Sequence, residues 1–142
     1  MKDLIWDNTL SVDVPEIDED HRRLVDLFNL LNHAVAEGED RAYVEAVMEE
    51  LISCTVWHFR HEERLMLKYG YDGFVEHRSE HEELIESAKL LQQKFLQAGA
   101  SAASSDVSRA ISSKDIEHLE HWLTGHIYGA DMDLGSHLSQ AM

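Results

Sequence analysis

The chain is poor in cysteine, proline and basic residues, and each scarcity excludes something. One cysteine, Cys54, in 142 residues rules out an intrachain disulfide and any multi-cysteine zinc or iron–sulfur site. After the single proline, Pro15, nothing forbids long helices. Twelve Lys and Arg stand against 28 Asp and Glu, a formal charge of −16. Nucleic acid and anionic membrane surfaces demand a positive face, so neither is an expected partner. No apolar run approaches the length of a membrane span. The segment Met1–Asp7 lacks the apolar core of a signal peptide, which makes a cytoplasmic protein the expectation. What is present is a 44% hydrophobic chain, enough to fold rather than stay disordered, and ten histidines whose spacing carries the information.

Two pairs stand out, His58-x-x-x-Glu62 and His77-x-x-x-His81. Residues four apart on an α-helix point in directions about 40° apart, one turn along the axis, so each pair can aim two ligand atoms at one point. Between the pairs lies Tyr69-Gly70-Tyr71-Asp72-Gly73, suited to a helix stop and reversal.

Apolar periodicity predicts four helices. The first runs from about Glu19 to Glu37, with Asp18 as N-cap and the stripe His21, Leu24, Phe28, Leu31, Val35. The second runs from Asp40 or Arg41 to Tyr69, with Val44, Val47, Leu51, Cys54, His58, Glu62 and Leu65 inward. Cys54 reads as a small buried thiol, and His61, off the stripe, as solvated. The third runs from Phe74 or Val75 to Ala98, headed by His77 and His81. The fourth starts between Ser105 and Ser113 and ends near Tyr128, with His126 inward and His118 and His121 on the surface. Gly99–Ser108 reads as a loose connection. Residues 1–17 read as an extended arm on which Trp6 packs over a helix end, and the tail from Met132 as a cover for one end of the bundle. The fold class is therefore all-α, an up-down-up-down antiparallel four-helix bundle, residues 18–138, in one domain spanning 1–142.

Inward histidines His21, His58, His77, His81 and His126 join two carboxylates, Glu62 and Asp131. A buried carboxylate without a partner costs several kcal/mol, and a metal is one way to keep it ionised. Mixed imidazole and carboxylate ligation suits iron, and other divalent transition metals less selectively. His126 and Asp131 are five apart, about 140° on an α-helix, so both reach one centre only if the helix unwinds near Gly129.

In order and spacing, Trp6, Ile17-Asp18-x-x-His21, His58-Phe59-x-x-Glu62-Glu63-x-x-Met66, His77-x-x-x-His81 and Trp122-Leu123-x-x-His126-Ile127-x-x-x-Asp131 resemble the hemerythrins, specifically the single-domain bacterial ones. Asp13 stands where that family often has glycine, and Asp20 where it often has glutamine. The resemblance implies a non-haem centre of two iron ions with an oxo or hydroxo bridge. His77, His81 and His126 would hold one iron, His21 and His58 the other, and Glu62 and Asp131 would bridge. It implies reversible O2 binding at the iron with two histidines, in a pocket lined by Phe59, Trp122, Leu123 and Ile127. Carriage, storage, delivery and sensing all fit, and delivery or sensing would call for a separate protein partner. The alternative is a di-iron redox enzyme reducing peroxide, O2 or nitric oxide, for which the sequence supplies no acid–base pair. Ferritin-like sites use Glu-x-x-His pairs and zinc proteases His-Glu-x-x-His, and this chain contains neither.

Overall fold

The computed structural model describes residues 11–101 and 113–142, with the side chains at 97–101, 113, 114, 116, 123, 127 and 128 outside the described set. The described residues are helical with short turns. Helix α1 spans Pro15–Ala36, α2 Arg41–Lys68, α3 Phe74–Ser101 and α4 Ser113–His126. A π-helical turn, Ile127–Asp131, runs on from α4 into α5, Met132–Ala141. The last three pieces make the fourth rod of a four-helix bundle. Trp6 and most of the 99–108 connection lie outside the described residues, although α3 runs on through its first three positions.

The first helix begins earlier than its apolar stripe suggests. Pro15 occupies the first turn, where its missing N–H removes nothing, and Val14 is the N-cap. Asp18 is therefore not the cap. From inside the helix it reaches back to the arm, accepting hydrogen bonds from Val12 N at 2.8 Å and Ser11 Oγ at 2.6 Å. Between them Asp13 has φ +62, left-handed backbone that favours glycine and tolerates aspartate. That conformation explains why glycine suits this position.

The turns follow from their glycines. Gly38 (φ +67) and Gly70 (φ +63) sit just past the ends of α1 and α2. The bonds Glu39 N→Ala34 O (3.0 Å) and Tyr71 N→Met66 O (2.9 Å) close both ends in the left-handed cap that needs glycine. His137 Nε2 donates to the Tyr69 carbonyl at 2.8 Å, tying α5 to the end of α2. The tail from Met132 is thus a packed helix, with Leu134 and Leu138 in the core.

Two apolar clusters fill the bundle. One gathers Val12, Val14, Ile17, Leu24, Phe28, Met66, Leu134 and Leu138 beneath the arm. The other gathers Leu31, Val44, Val47, Met48, Ile52, Ala88 and Phe95 toward the far end. Each fully buried large side chain contributes about 1.5–3 kcal/mol. On α2 the buried face is rotated slightly from the expected stripe: Ile52, Thr55, Phe59 and Met66 are inside, while Leu51 and Cys54 are only half-buried. Partial burial pushes the Cys54 thiol pKa up.

Candidate metal centre

Seven polar side chains converge where the apolar face of every helix is interrupted. His21 comes from α1, His58 and Glu62 from α2, His77 and His81 from α3, His126 from the end of α4 and Asp131 from the π turn. All are buried, Glu62 and Asp131 completely. The five-residue step from His126 to Asp131 is bridged by the π turn, whose i→i+5 hydrogen bonds set residues five apart one turn apart. The chain widens its helix there without breaking it. Asp133 stays outside the cluster and exposed.

The donor atoms fall into two overlapping groups. Glu62, His77, His81, His126 and Asp131 form one; His21, His58, Glu62 and Asp131 form the other. Within each group every donor lies within 4.8 Å of the rest, and the two carboxylates belong to both. His21 Nε2 lies 2.9 Å from Asp131 Oδ2, and His77 Nε2 and His126 Nε2 lie 3.1 and 3.0 Å from Asp131 Oδ1. His81 Nε2 is 3.0 Å from Glu62 Oε1, and His58 Nε2 is 3.6 Å from Glu62 Oε2.

These approaches are short, yet most fail the angular requirement of a hydrogen bond. Both oxygens of Glu62, both of Asp131, both nitrogens of His21 and His77, and Nε2 of His58 are buried with no hydrogen-bond partner. So many orphaned groups in one place would cost several kcal/mol if nothing else satisfied them. One donor atom from each residue crowds close to the others of its group, as metal ligands must. A second observation agrees. His81 Nδ1 lies 3.0 Å from Glu63 Oε2 and His126 Nδ1 2.6 Å from Glu80 Oε1. A carboxylate only accepts, so each Nδ1 carries the proton. In the neutral rings both Nε2 atoms then hold lone pairs, and these face each other at 3.2 Å. That contact is repulsive unless a proton or a metal ion sits at one of the two nitrogens, so the residues present fit a metal.

Charge compensation is built in. Burial and the neighbouring Asp131 would raise the Glu62 carboxyl, but His58, His126 and His77 outweigh them and hold it below its ordinary range. Burial would likewise raise Asp131, and His126, His21 and His77 hold it well below. Burial works to lower His77, but its approaches to Asp131 and Glu62 raise it to about 9.

An outer set of carboxylates orients the imidazoles. Asp20 Oδ2 accepts from His58 Nδ1 at 2.9 Å and from His61 Nδ1 at 2.7 Å, and His61 Nε2 lies 3.3 Å from Glu16. His61 is therefore not a solvated residue: its side chain is only 17% exposed, against Trp57. Glu63, paired with Arg60 at 2.8 Å, holds His81. Arg60 thus lies off the ligand face and leaves Glu62 alone. The sequence reading missed Asp20, His61, Glu63 and Glu80. Each sits beside a ligand only after two or three helices meet, and no spacing within one helix announces it.

Phe59 stacks flat on His81, with ring centroids 3.9 Å apart and an interplanar angle of 4°. A space of about 10 Å3, at the lower edge of what holds one water, lies against His21, Leu24, His58, Phe59, Trp122, His126 and Asp131. Phe59 and Trp122 are thus brought to the centre. Leu123 and Ile127 belong to α4 and the π turn, with side chains outside the described residues.

Fold and site together define a helix bundle with a buried histidine–carboxylate cluster whose donor set fits metal. The family description "Hemerythrin HHE cation binding domain" matches residues 12–138, and the chain belongs to the hemerythrin family. The bacteriohemerythrin of Stenotrophomonas maltophilia (strain R551-3) is 32% identical over 141 residues, covering 96% of this chain and 85% of its own. That of Methylococcus capsulatus (strain ATCC 33009 / NCIMB 11132 / Bath) is 33% identical, covering 86% of each chain. A crystal structure of wild-type hemerythrin superposes with a TM-score of 0.80 at 28% identity, covering 96% of this chain and 98% of that one.

Proposed function

We propose that the protein binds O2 reversibly at a non-haem di-iron centre. The observation that carries this reading is the pair of overlapping donor groups, three histidines on one side and two on the other, sharing Glu62 and Asp131. His77, His81 and His126 hold one iron. His21 and His58 would hold the other, and O2 would bind on this two-histidine side. When bound, the irons supply the electrons that O2 takes on binding and returns on release.

The protein's own residues do the rest. Two bridging carboxylates offset the charge of two metal ions. Asp20, Glu63 and Glu80 each fix the tautomer of one histidine, leaving Nε2 as the donor toward the metal. Phe59 prevents the His81 ring from turning. Phe59, Leu24 and Trp122 keep bulk water from the small space at the centre, and this protects against irreversible oxidation. The described lining of that space holds no acid or base besides the ligands, which favours binding over turnover as a peroxide, O2 or nitric oxide reductase.

Among the described residues no helix is long and apolar enough to cross a membrane. We take the protein to be cytoplasmic, with O2 as its ligand. Storage, delivery and sensing remain within this reading, the last two through a separate protein. We further take the whole chain, 1–142, as one such domain. Metal analysis tests the centre: two irons per chain are expected after expression with ample iron. One iron, or stoichiometric zinc, contradicts the proposal.

A further inference from the structure

The apolar core is not completely filled. A cavity of about 30 Å3 lies where the two apolar clusters meet. Every rod of the bundle lines it: Leu24 and Phe28 from α1, Ile52 and Thr55 from α2, Ala88 from α3 and Trp122 from α4. One water needs roughly 10–15 Å3 and two to four polar partners. The volume suffices, but the lining is apolar apart from the Thr55 hydroxyl, which already donates to the Leu51 carbonyl at 2.7 Å, and the Trp122 indole N–H. Apolar cavities of this kind stay dry and take up apolar guests such as xenon.

Its position gives it meaning. Leu24 and Trp122 line both this cavity and the small space at the metal centre. These two side chains form a wall common to both spaces. We infer that the cavity between the two apolar clusters is a binding site for a small apolar gas, and that O2 passes through it past Leu24 and Trp122 to the centre. The inference rests on the O2-binding reading above. O2 dissolves better in hydrocarbon than in water, so a dry cavity concentrates it while turning water and protons away. Side-chain rotation at Leu24 or Trp122 suffices to open the wall, a fast motion compared with helix displacement.

Xenon is the probe, used on the full chain with its metals. The 129Xe spectrum, or a crystal under xenon pressure, should show a site between Ile52 and Ala88. In the unaltered protein, xenon pressure should slow O2 association measured by stopped flow. Ala88→Leu and Ile52→Phe should each abolish the xenon site. In both variants the O2 association and dissociation rates should fall by a common factor, roughly 3–10, while the Kd stays the same, because a passage alters barriers and not end states. If either variant fails to fold, the xenon competition still decides. An empty cavity under xenon overturns the inference, as does loss of the xenon site with both O2 rates unchanged. A changed Kd with unchanged association also counts against it. If the unaltered protein binds no O2 at all, the functional reading fails and the passage with it, whereas xenon in the cavity would still establish a gas site.

Discussion

Replacing Asp20 by asparagine should loosen one iron and not the other. The Asp20 carboxylate is 14% exposed and accepts from His58 Nδ1 and His61 Nδ1 with the same oxygen, at 2.9 and 2.7 Å. Burial would raise its pKa, but the two imidazoles outweigh this and hold it below the usual value. It is therefore charged at neutral pH, and both hydrogen bonds are charge-assisted. Asparagine keeps the shape and loses the charge. A hydrogen bond to a charged group contributes about 1.5–3 kcal/mol, against 0.5–1.5 for a neutral one. Only the His58 bond bears on the metal, so about 1–2 kcal/mol of orientation and basicity is lost at that ligand. This corresponds to a fall in metal affinity of roughly five- to thirtyfold, toward the lower end of what such partners typically contribute. The assay is a chelator challenge of the iron-loaded protein, following the iron retained per chain. Asp20→Asn should release its first iron roughly 5–30 times faster than the parent. Glu80→Gln should accelerate release from the opposite, three-histidine side through His126. In the double variant the two effects should add. Parent-like release from Asp20→Asn, with the fold intact, would refute the argument that this carboxylate supports His58.

Three further outcomes follow from the same coordinates. In the metal-free protein His77 titrates near 9, above the 6.5 of a free histidine, so its contribution to stability is complete below pH 6.5 and is lost as the pH rises through 9. The metal-free melting temperature should fall across that window, whereas the metal-loaded protein, whose histidines are already deprotonated, should not show this fall. Gly135→Ala places a Cβ 2.3 Å from the Val12 carbonyl oxygen and 2.7 Å from Val12 Cβ, which should displace the arm and lower stability by about 1–3 kcal/mol in urea unfolding. Asp13→Gly relieves a left-handed aspartate (φ +62) and should raise stability slightly in urea unfolding, by up to about 1 kcal/mol.

The fold was legible because each helix carries a long apolar stripe and the two described turns, after α1 and α2, each a glycine where the backbone turns left-handed. The ends of α2 and the start of α3 follow directly from Tyr69-Gly70-Tyr71-Asp72-Gly73. The start of α1 did not, because Asp18 resembles an N-cap in sequence but points back to Val12 and Ser11 across the arm. The donor atoms were legible for a related reason. A histidine or carboxylate on an apolar stripe is an interruption visible in one dimension, as at His58 and Glu62. The π turn was anticipated only as an unwinding near Gly129, since the His126–Asp131 spacing requires some widening without saying which kind. The outer carboxylates were invisible. Glu63 looks like one more surface acid, yet it is 7% exposed and stands between Arg60 and His81 because α2 and α3 pack face to face. His61 likewise looks solvated until α1 brings Asp20 and Glu16 beside it.

An O2 titration of the fully reduced, iron-loaded protein, followed optically through repeated cycles of oxygenation and vacuum, tests the central claim most directly. The account predicts one O2 taken up for every two irons, released under vacuum, with the reduced spectrum recovered in each cycle. Progressive, irreversible conversion to the ferric state in the first cycle, with no O2 recovered, would contradict it.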